Sequence, residues 1–495
     1  MKVLLERVRA HASHRPRQLA LRDEQGELDY PGLLAEVECL RALVRGQRVG
    51  LLLDNGLAWV CLDLAVLAHG GIAVPLPTFF SDGQLSHVLN DAGVTRVITD
   101  QPERVAALLN APPDTVIAVA GRGLGLFRRR CGDPPRLPAD TAKITYTSGS
   151  TGAPKGVCLS GETLAGVTQA LCEAVRGTAN DRCLSVLPLS TLLENIAGVY
   201  APLWAGGLSQ VPSLSCCGVS GSSGVRVEAL FRVMHWAAPT ITVLVPQLLK
   251  AVVGGATGGL SVPASLRFVA VGGAPLAAPL AAQARRLGLP VFEGFGLSEA
   301  GSVVCLNLPD AERPGSVGRA LPHVQVRIHA SGEVMVRGAV FQGYLGGACG
   351  LASGELATGD LGYLDADGFL FLTGRKATSY STAFGRNVAP EWLEALLAGH
   401  PDIAQAAVFG AGRPFNVAVV VPGRGASPEA VGQAVTAING GLPDYAQIGA
   451  WVVADEPFSG ANGLLNGAGC PMRAAIAAAY RTPIAQKYEE AHDVL

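Results

Sequence analysis

Short apolar runs that end in turn residues recur along the first part of the chain and alternate with helical stretches. Helical patterning covers Val60 to Leu67 and Pro102 to Leu109, among others. Strands that alternate with helices predict parallel sheets with crossover connections. The strand-like runs are "RVGLLLDNG", "GIAVPLP", "VTRVITD" and "TVIAVAG", followed by "RCLSVLPLS", "TITVLVPQLL", "LRFVAVGGAPL" and "PVFEGFG".

The pattern changes from about Val324. Alternating strands, "VQVRIHA" and "GEVMVRG", predict a small antiparallel sheet or barrel. After Gly374 come a helix, "PEWLEALLAGH", two strands, "QAAVFG" and "NVAVVVPG", and a helix over 427–438 with Ser427 as its N-cap. The sequence thus predicts an α/β fold with a large domain over 1–374 and a small α+β domain over 375–495. Glycine- and serine-rich stretches at 217–224 and 254–259 predict surface loops.

Hydropathy and charge argue against a membrane-spanning protein and against a protein that binds nucleic acid. The 495-residue chain has a mean hydropathy of +0.32, and its richest apolar run, 58–80, contains Asp63 and His69. A membrane-spanning helix needs about 20 nearly uncharged residues, so this run predicts a buried helix followed by a strand. The net charge of −2 gives no electrostatic case for nucleic acid or an anionic membrane.

The termini and cysteines favour a cytoplasmic location. The amino-terminal residues have charges scattered among their apolar positions, unlike a signal peptide. Eleven cysteines without regular spacing fit reduced thiols better than a disulfide framework. The adjacent Cys216 and Cys217 lack a second pair, which favours ordinary loop thiols over a metal site.

The segment "YTSGSTGAPKGV", residues 146–157, has the composition of an anion-binding loop. Glycines expose backbone N–H groups, and several hydroxyls and one ammonium supply further donors. Proline precedes its lysine and Gly-Lys-Ser/Thr is missing, so it is not a Walker A loop. Taken alone, such a turn is also compatible with a plain surface loop. The donors are at Thr147, Ser148, Gly149, Ser150, Thr151, Gly152 and Lys155.

The full string resembles the phosphate-binding signature of the adenylate-forming superfamily, which includes acyl-CoA synthetases, peptide-synthetase adenylation domains and luciferases. Further segments resemble that superfamily's motifs in the right order over almost the entire chain. One of them, "FGRNVAPEWLE", is similar to a stretch typical of fatty acyl-CoA ligases. The others are "LPLSTLLE" (187–194), "VGGAPL" (271–276), "FEGFGLSEAG" (292–301), "TGDLGYLDADG" (358–368) and "LTGRKA" (372–377).

The resemblance implies ATP-dependent activation of a carboxylic acid as an acyl-adenylate, with pyrophosphate release and transfer to CoA. It also implies a mobile small domain and site residues at matching positions. These are Thr147–Gly152 and Lys155 for the phosphates; Glu299 for Mg²⁺, with Ser298 beside it; Gly273, Ala274, Pro275, Phe295 and Gly296 for adenine; Asp360 and Arg375 for ribose; Thr191, Leu193, Glu194 and Asn195 for the acyl pocket; Ala377 for the hinge; and Cys470 at the usual position of a catalytic lysine.

Departures from the superfamily pattern leave the activity open. A thiol at Cys470 cannot supply the positive charge of a lysine, and Arg473 lies at a different position. The hinge position is Ala377, and Thr191 stands where an aromatic residue or histidine is common. Three alternatives follow: an acyl-CoA ligase for a fatty or other apolar acid, an adenylating enzyme that transfers to an acyl carrier protein or an amine, and a degenerate nucleotide- or acyl-binding protein with little turnover.

Overall fold

The computed structural model describes residues 1–132, 135–147, 154–220, 224–347, 354–383, 386–466 and 469–492. A π-helix, Asn195–Tyr200, joins α8 to α9, and 3₁₀ turns occur at Ser298–Ala300 and Asp444–Ala446. The α-helices are α1 (Lys2–His14), α2 (Tyr30–Cys39), α3 (Arg41–Val44), α4 (Leu57–Ala68), α5 (Asp82–Asp91), α6 (Pro102–Leu109), α7 (Gly161–Ala174), α8 (Leu192–Glu194), α9 (Ala201–Ala205), α10 (Val227–Ala237), α11 (Pro246–Thr257), α12 (Ala278–Arg286), α13 (Pro390–Gly399), α14 (Pro428–Asn439), α15 (Arg473–Ala479) and α16 (Arg481–His492).

The strands of the described residues, in chain order, are β1 (Leu19–Arg22), β2 (Glu27–Asp29), β3 (Arg48–Leu52), β4 (Ile72–Pro75), β5 (Arg96–Thr99), β6 (Thr115–Val119), β7 (Arg122–Arg128), β8 (Thr141–Thr147), β9 (Lys155–Ser160), β10 (Arg182–Leu184), β11 (Leu208–Gln210), β12 (Val219–Ser220), β13 (Gly224–Val225), β14 (Ile241–Leu244), β15 (Phe268–Val271), β16 (Val291–Phe295), β17 (Cys305–Leu306), β18 (Arg319–Ala320), β19 (Val324–Ile328), β20 (Glu333–Gly338), β21 (Gly343–Tyr344), β22 (Leu356–Leu364), β23 (Leu370–Arg375), β24 (Tyr380–Ser381), β25 (Asn387–Val388), β26 (Ile403–Phe409), β27 (Asn416–Pro422) and β28 (Ile448–Val453).

Two large mixed sheets form most of the molecule. One has the strand order β18-β17-β16-β15-β14-β10-β11-β1-β2, and its pairs from β16 through β1 are parallel. The other has the order β21-β9-β8-β4-β3-β5-β7-β6, with parallel pairs at its centre. The alternation of strands and helices in the sequence predicted these parallel centres, and the α/β fold class is confirmed.

Helix α4 shows how the apolar run near the amino terminus is used. Ten of its residues, from Leu57 to Val66, are buried, and all of them except Asp63 belong to the largest hydrophobic cluster. Strand β4 follows, as the sequence predicted for a buried helix and a strand. A helix that is apolar almost all round is buried within the fold, and the charge of Asp63 is paired with Lys143. Across the residues that the structure describes, no helix is both long enough and apolar enough to cross a membrane.

The later part of the chain forms smaller sheets. The predicted alternating strands lie in an antiparallel sheet with the order β19-β20-β22-β23. Beyond it, β26, β27 and β28 form a sheet with one apolar cluster on each face. Helix α14 begins where the sequence predicted, because the Ser427 side chain accepts a hydrogen bond from the Ala430 N–H.

Two loop predictions need correction. The glycine-rich stretch 254–259 is not a loop throughout, because α11 continues to Thr257. The apolar residues Leu248, Leu249, Val252 and Val253 bury one face of this helix, and that burial outweighs the low helix propensity of the glycines. Near the other predicted loop, Cys216 is exposed but Cys217 is fully buried, and residues 219–220 and 224–225 pair as a short hairpin.

Candidate active site

A cavity of about 420 Å³ opens where β14, β15 and β16 end. These strands are parallel neighbours, so their carboxyl ends meet at one edge of the sheet, the edge at which α/β proteins commonly bind ligands. The cavity lies between this edge and the segment that contains α8 and the π-helix. Seven residues that the sequence predicted for the site are among its lining residues: Thr191, Leu193, Gly273, Phe295, Gly296, Ser298 and Cys470.

Two glycines shape the cavity edge. Gly273 has a φ of +80°, in the left-handed region that favours glycine. At Gly296 a Cβ atom would come within 1.5 Å of the Ser302 carbonyl oxygen. The backbone at Gly296, just after β16, therefore lies so close to the backbone at Ser302 that no side chain fits at position 296. This close approach fixes the position of Phe295, which is buried and lines the cavity.

Lys155 and Glu299 are brought together by a third side chain, Tyr344. Thr147 and Lys155 face each other in the β8–β9 pair, and Tyr344 pairs with Val157 on the other side of β9. The Tyr344 hydroxyl donates a 2.8 Å hydrogen bond to Glu299 Oε1, and Lys155 Nζ lies 5.8 Å from the Tyr344 ring centroid. That separation is within the range of a cation–π contact. An ammonium and a carboxylate thus flank one aromatic ring.

Asp360 and Arg375 form an ion pair across the β22–β23 ladder, where they lie directly opposite each other. Arg375 Nε is 2.8 Å from Asp360 Oδ1, and the carboxylate is 7% exposed. Burial raises the pKa of Asp360, and Arg375 acts in the opposite direction. Charges at Glu299 and Glu391 raise the same pKa, so these acidic groups share one electrostatic environment.

Cys470 reaches the cavity from the carboxyl-terminal part of the chain. Its backbone N–H donates to Asn466 Oδ1 at 2.9 Å, and the Asn466 N–H donates to the Cys470 carbonyl at 2.9 Å. Burial raises the pKa of the Cys470 thiol, and Arg375 acts in the opposite direction. A thiol is neutral and a thiolate is negative, so Cys470 supplies no positive charge to the cavity in either form.

Arg473 does not take over that charge. Its guanidinium donates to Glu394 Oε1 at 2.6 Å, to Glu394 Oε2 at 2.9 Å and to the Val408 carbonyl at 2.8 Å. Glu391 lies 3.6 Å away. Arg473 is absent from the described lining of the cavity, because this bidentate pairing holds it against α13.

The sequence assigned Glu194 and Asn195 to the acyl pocket, and the structure places both behind its wall. Asn195 is 1% exposed and accepts a hydrogen bond from Lys143 Nζ, which also forms a 2.8 Å ion pair with Asp63. Glu194 is fully buried, and burial raises its pKa to about 8. Helix α8 and the π-helix turn these two side chains away from the cavity, while Thr191 and Leu193 line it.

Several other predicted residues are not among the described lining residues of the cavity. Ala274 and Pro275 are exposed just beyond Gly273. Ala377 is exposed in a turn in which the Ser379 N–H donates to the Arg375 carbonyl at 2.7 Å. The predicted phosphate-binding residues Ser148, Gly149, Ser150, Thr151 and Gly152 lie outside the described residues.

Sequence reasoning missed Tyr344, which contacts both predicted charged residues. Its segment, "FQGY", contains no motif that indicates a function. The signal lies in the pairing of β21 with β9, which joins positions almost two hundred residues apart. Gln247 and Ser302 also line the cavity, and no local sequence motif marked either of them.

The donor set fits a magnesium ion held mainly by a substrate. Within the described parts of the chain, no three His, Cys, Asp or Glu residues come together as a metal site. Mg²⁺ is commonly bound by one or two carboxylates together with substrate phosphates and water. Glu299, close to the strand ends that flank the predicted phosphate loop, offers one such carboxylate.

Comparisons with known proteins agree with this geometry. Residues 8–345 match the family model "AMP-binding enzyme", and residues 381–492 match "AMP-binding enzyme C-terminal domain". The long-chain-fatty-acid–CoA ligase FadD15 of Mycobacterium tuberculosis is 30% identical over 446 residues, covering 76% of this chain and 73% of that protein. The 2-succinylbenzoate–CoA ligase of Bacillus cereus is 28% identical over 398 residues, covering 74% of this chain and 76% of that protein.

Solved structures share the fold. The o-succinylbenzoate CoA synthetase of Bacillus subtilis, in complex with its acyl-adenylate intermediate, superposes with a TM-score of 0.76 at 24% identity, covering 95% of this chain and 97% of that one. The anthranilate CoA ligase AuaEII gives a TM-score of 0.78 at 18% identity, with 96% of each chain covered. The chain therefore belongs to the AMP-binding enzyme family, and the prediction of an AMP-forming acid–thiol ligase is confirmed at the level of that class.

Proposed function

We propose that this protein uses ATP to convert a fatty or other apolar carboxylic acid to an acyl-adenylate, and then transfers the acyl group to CoA. The observation that carries the proposal is the chemistry of the cavity. Among its described lining residues none is charged, and the polar ones are few: Thr191, Gln247, Ser298, Ser302 and Cys470. A substrate with a second carboxylate would bury a charge without a partner, at a cost of several kcal/mol.

A second, smaller cavity extends the apolar surface beyond the first. It encloses about 40 Å³ between α7, the π-helix and β14–β15. The two cavities share four lining residues: Leu171, Ala197, Val243 and Ala270. An acyl chain that fills the main cavity therefore meets further apolar space behind small side chains, which supports an extended aliphatic acid over a compact polar one.

Activation requires the acid's carboxylate to attack the α-phosphate of ATP and to release pyrophosphate. Little covalent chemistry falls to the protein in such a transfer, so positioning and fixed positive potential do most of the catalysis. We assign Lys155 and Thr147, with the loop between them, to the β- and γ-phosphates. We assign Phe295, Gly273 and Gly296 to adenine, and Asp360 with Arg375 to the ribose hydroxyls, as an acceptor and a donor.

Glu299 is the residue that would hold Mg²⁺, a cation whose role is to neutralise phosphate charge during the transfer. The Tyr344 hydroxyl orients the Glu299 carboxylate by donating to Oε1, which leaves Oε2 for the metal. Lys155 Nζ lies over the Tyr344 ring, 5.8 Å from its centroid. One aromatic side chain thus contacts both the carboxylate for the metal and an ammonium for the phosphates.

We also propose a boundary between a large domain, 1–374, and a small domain, 375–495, with Ala377 as the hinge. Ala377 is exposed in a turn that directly follows β23. Residues that absorb a domain rotation are commonly few and lie at the ends of elements. A rotation here would withdraw Cys470 from the cavity after adenylation and allow the second half-reaction.

The direct test is ATP–pyrophosphate exchange with a panel of acids, followed by detection of the CoA thioester by mass spectrometry. The panel should pair monocarboxylates of increasing chain length with dicarboxylates of matched length. We expect exchange with aliphatic monocarboxylates and a loss of at least about a hundredfold for the dicarboxylates, since an unpaired buried charge costs several kcal/mol. Equal use of both classes would contradict the proposed substrate class.

One observation favours a second candidate function, an acyl- and nucleotide-binding protein with little turnover. Cys470 lines the cavity at the position where the superfamily resemblance implies a lysine, and Arg473 is held by Glu394. The same exchange assay separates the two: binding of ATP and acid by calorimetry without exchange would support the second candidate. Formation of an acyl-adenylate that does not react with CoA would instead support transfer to a carrier protein or an amine.

A further inference from the structure

The side chain of Lys250 forms three hydrogen bonds with the backbone of the carboxyl-terminal part of the chain. It lies on α11, whose first turn contributes Gln247 to the cavity lining. Its Nζ donates to three backbone carbonyl oxygens: Ala398 at 2.5 Å, Ile403 at 2.7 Å and His400 at 3.0 Å. These three hydrogen bonds use all three N–H donors of the ammonium group.

The acceptors belong to the carboxyl-terminal end of α13 and the start of β26. The last carbonyls of a helix lack partners within it and carry the negative end of the helix dipole, so a cation is favoured there. The contact is also tightly packed, because a Cβ atom at Gly399 would come within 2.7 Å of Ala277 Cβ. Lys250 is partly buried, and burial lowers its pKa to about 8.

A continuous set of contacts leads from this point to Cys470. Helix α13 contains Glu391 and Glu394, and both face Arg473, the first residue of α15. Cys470 lies three residues before Arg473 and forms two hydrogen bonds with Asn466, one with its backbone N–H and one with its side-chain Oδ1. The position of α13 therefore determines where the Cys470 segment lies relative to the cavity.

We propose that Lys250 is a positioning residue that holds α13 in the one orientation in which Cys470 lines the cavity. The inference rests on the proposed function only for its catalytic consequence, which is that Lys250 favours the adenylation geometry over the transfer geometry. Removing the ammonium leaves three carbonyls without their shared donor, and hydrogen bonds to a charged group are among the stronger ones. The orientation then loses its main polar restraint.

The first test measures geometry and needs no activity. With Gln247→Cys in the background, a short bis-maleimide should link residue 247 to Cys470, because both line the same cavity. Peptide mapping by mass spectrometry identifies the link and separates it from products of the exposed Cys39 and Cys216. We expect Lys250→Met to reduce the rate of this link by about tenfold or more. Lys250→Arg, which keeps the charge, should restore part of it.

Two further variants test whether a change in the cross-link comes from the Lys250 contact itself. Lys487→Met removes a lysine that, among the described residues, forms an ion pair with Glu490 far from Cys470 in sequence, and it should leave the cross-link unchanged. Gly399→Val disturbs the same contact from the other side and should reduce the cross-link as Lys250→Met does. An unchanged link in Lys250→Met, or an equal loss in Lys487→Met, would overturn the proposal.

The second test separates the two half-reactions. Lys250→Met should reduce ATP–pyrophosphate exchange more than it reduces transfer of a preformed acyl-adenylate to CoA. A purely structural role would lower both equally, and that result would contradict a positioning role. If the wild-type protein activates no acid at all, the proposed function fails, whereas the cross-linking result still decides the role of Lys250.

Discussion

The two sides of the cavity are built on different principles. On one side, the strand ends of the large sheet form the wall by close packing. This wall consists of the ends of β14, β15 and β16, Gly296 against the Ser302 carbonyl oxygen, and the buried ring of Phe295. The carboxyl-terminal region supplies Cys470, whose segment is held within that region by polar contacts of Arg473 and Asn466, while Lys250 of α11 binds the region through backbone carbonyls. Close packing fixes a shape permanently, whereas a few polar contacts can exchange with water.

Substitutions on the two sides should therefore be tolerated to different degrees. A change in the packed side should damage the fold and both half-reactions, because its atoms have no other arrangement. A change in the carboxyl-terminal side should alter one half-reaction while the fold remains. The following experiments test that division, in order of decreasing expected effect.

Gly296→Ala should have the largest effect. The added methyl group would meet the Ser302 carbonyl oxygen at 1.5 Å, so the backbone must shift. We expect a loss of about 3 kcal/mol in the free energy of unfolding, measured by urea denaturation, and loss of activity with it. Gly460→Ala is the matched control, since a Cβ there meets nothing within 4 Å. Similar unfolding curves for the two variants would contradict the packed description of this side.

Lys155→Ala should weaken ATP use with little change in stability. Lys155 is exposed, and its ammonium group lies over the ring of Tyr344. Loss of a charge-assisted contact with phosphate costs roughly 1.5–3 kcal/mol, or about ten- to over a hundredfold in affinity. Titration calorimetry with ATP measures the change, and Lys487→Ala provides a surface control. Unchanged ATP binding would remove the adjoining loop from the site.

Glu194→Gln should stabilise the protein above neutral pH. Burial raises the pKa of Glu194 from the ordinary 4.5 to about 8, so the folded state binds the proton more tightly than the unfolded state. Ionisation of this group therefore lowers stability as the pH rises from about 5 to 8. We expect a gain of about 1–3 kcal/mol at pH 8 and little at pH 5, by thermal unfolding at both values.

Glu312→Gln is the control for that experiment, because Glu312 forms a surface ion pair with Arg285 and lies far from Glu194 in sequence. Its effect should not grow with pH in the same window. A pH-independent effect of Glu194→Gln would mean that Glu194 is ionised in the folded protein.

Cys470→Lys should raise the rate of pyrophosphate release by about tenfold. A well-placed donor at developing charge is worth about 2.7–4 kcal/mol in enzymes, and the surrounding segment here is adapted to a thiol. Cys470→Ala separates a catalytic thiol from a passive one. The three proteins should be compared with the best acid found. No gain with lysine and no loss with alanine would leave this position without a catalytic role.

Ala377→Pro should have the smallest effect on the fold and a several-fold, unequal effect on the two half-reactions. Proline fixes φ, so a residue that changes conformation during a rotation would be held in one state. Pyrophosphate exchange and thioester formation from isolated adenylate should be assayed separately. An equal change in both would argue against a hinge at this position.

The sequence predicted well wherever local pattern and tertiary packing agree. Helix α6 begins at Pro102 and ends at Leu109 as predicted, since proline suits the first turn and Asn110 takes the left-handed conformation after the last. The prediction failed at 254–257, where burial of the opposite helix face offsets the cost of glycine. Local propensity is a weak guide once packing decides.

The site residues were also predicted well only where the local sequence pattern agrees with the tertiary packing. Motif residues such as Phe295 and Ser298 line the cavity, because Phe295 ends β16, Ser298 follows it closely, and the sheet sets where that strand ends. Glu194 and Asn195 do not line it, because the direction of a side chain depends on helical phase, and the π-helix that begins at Asn195 changes that phase. Tyr344 required the pairing of two strands distant in sequence, which no local pattern contains.

The small apolar cavity behind Ala197 has a consequence for the protein under pressure. Its lining is apolar except for Asp181, and unfilled volume between packed side chains is eliminated when the chain unfolds. Hydrostatic pressure therefore favours the unfolded state in proportion to the roughly 40 Å³ enclosed there. A ligand whose tail fills that space would remove part of the volume difference. The pressure at which the protein unfolds should thus rise with the length of the bound acyl chain.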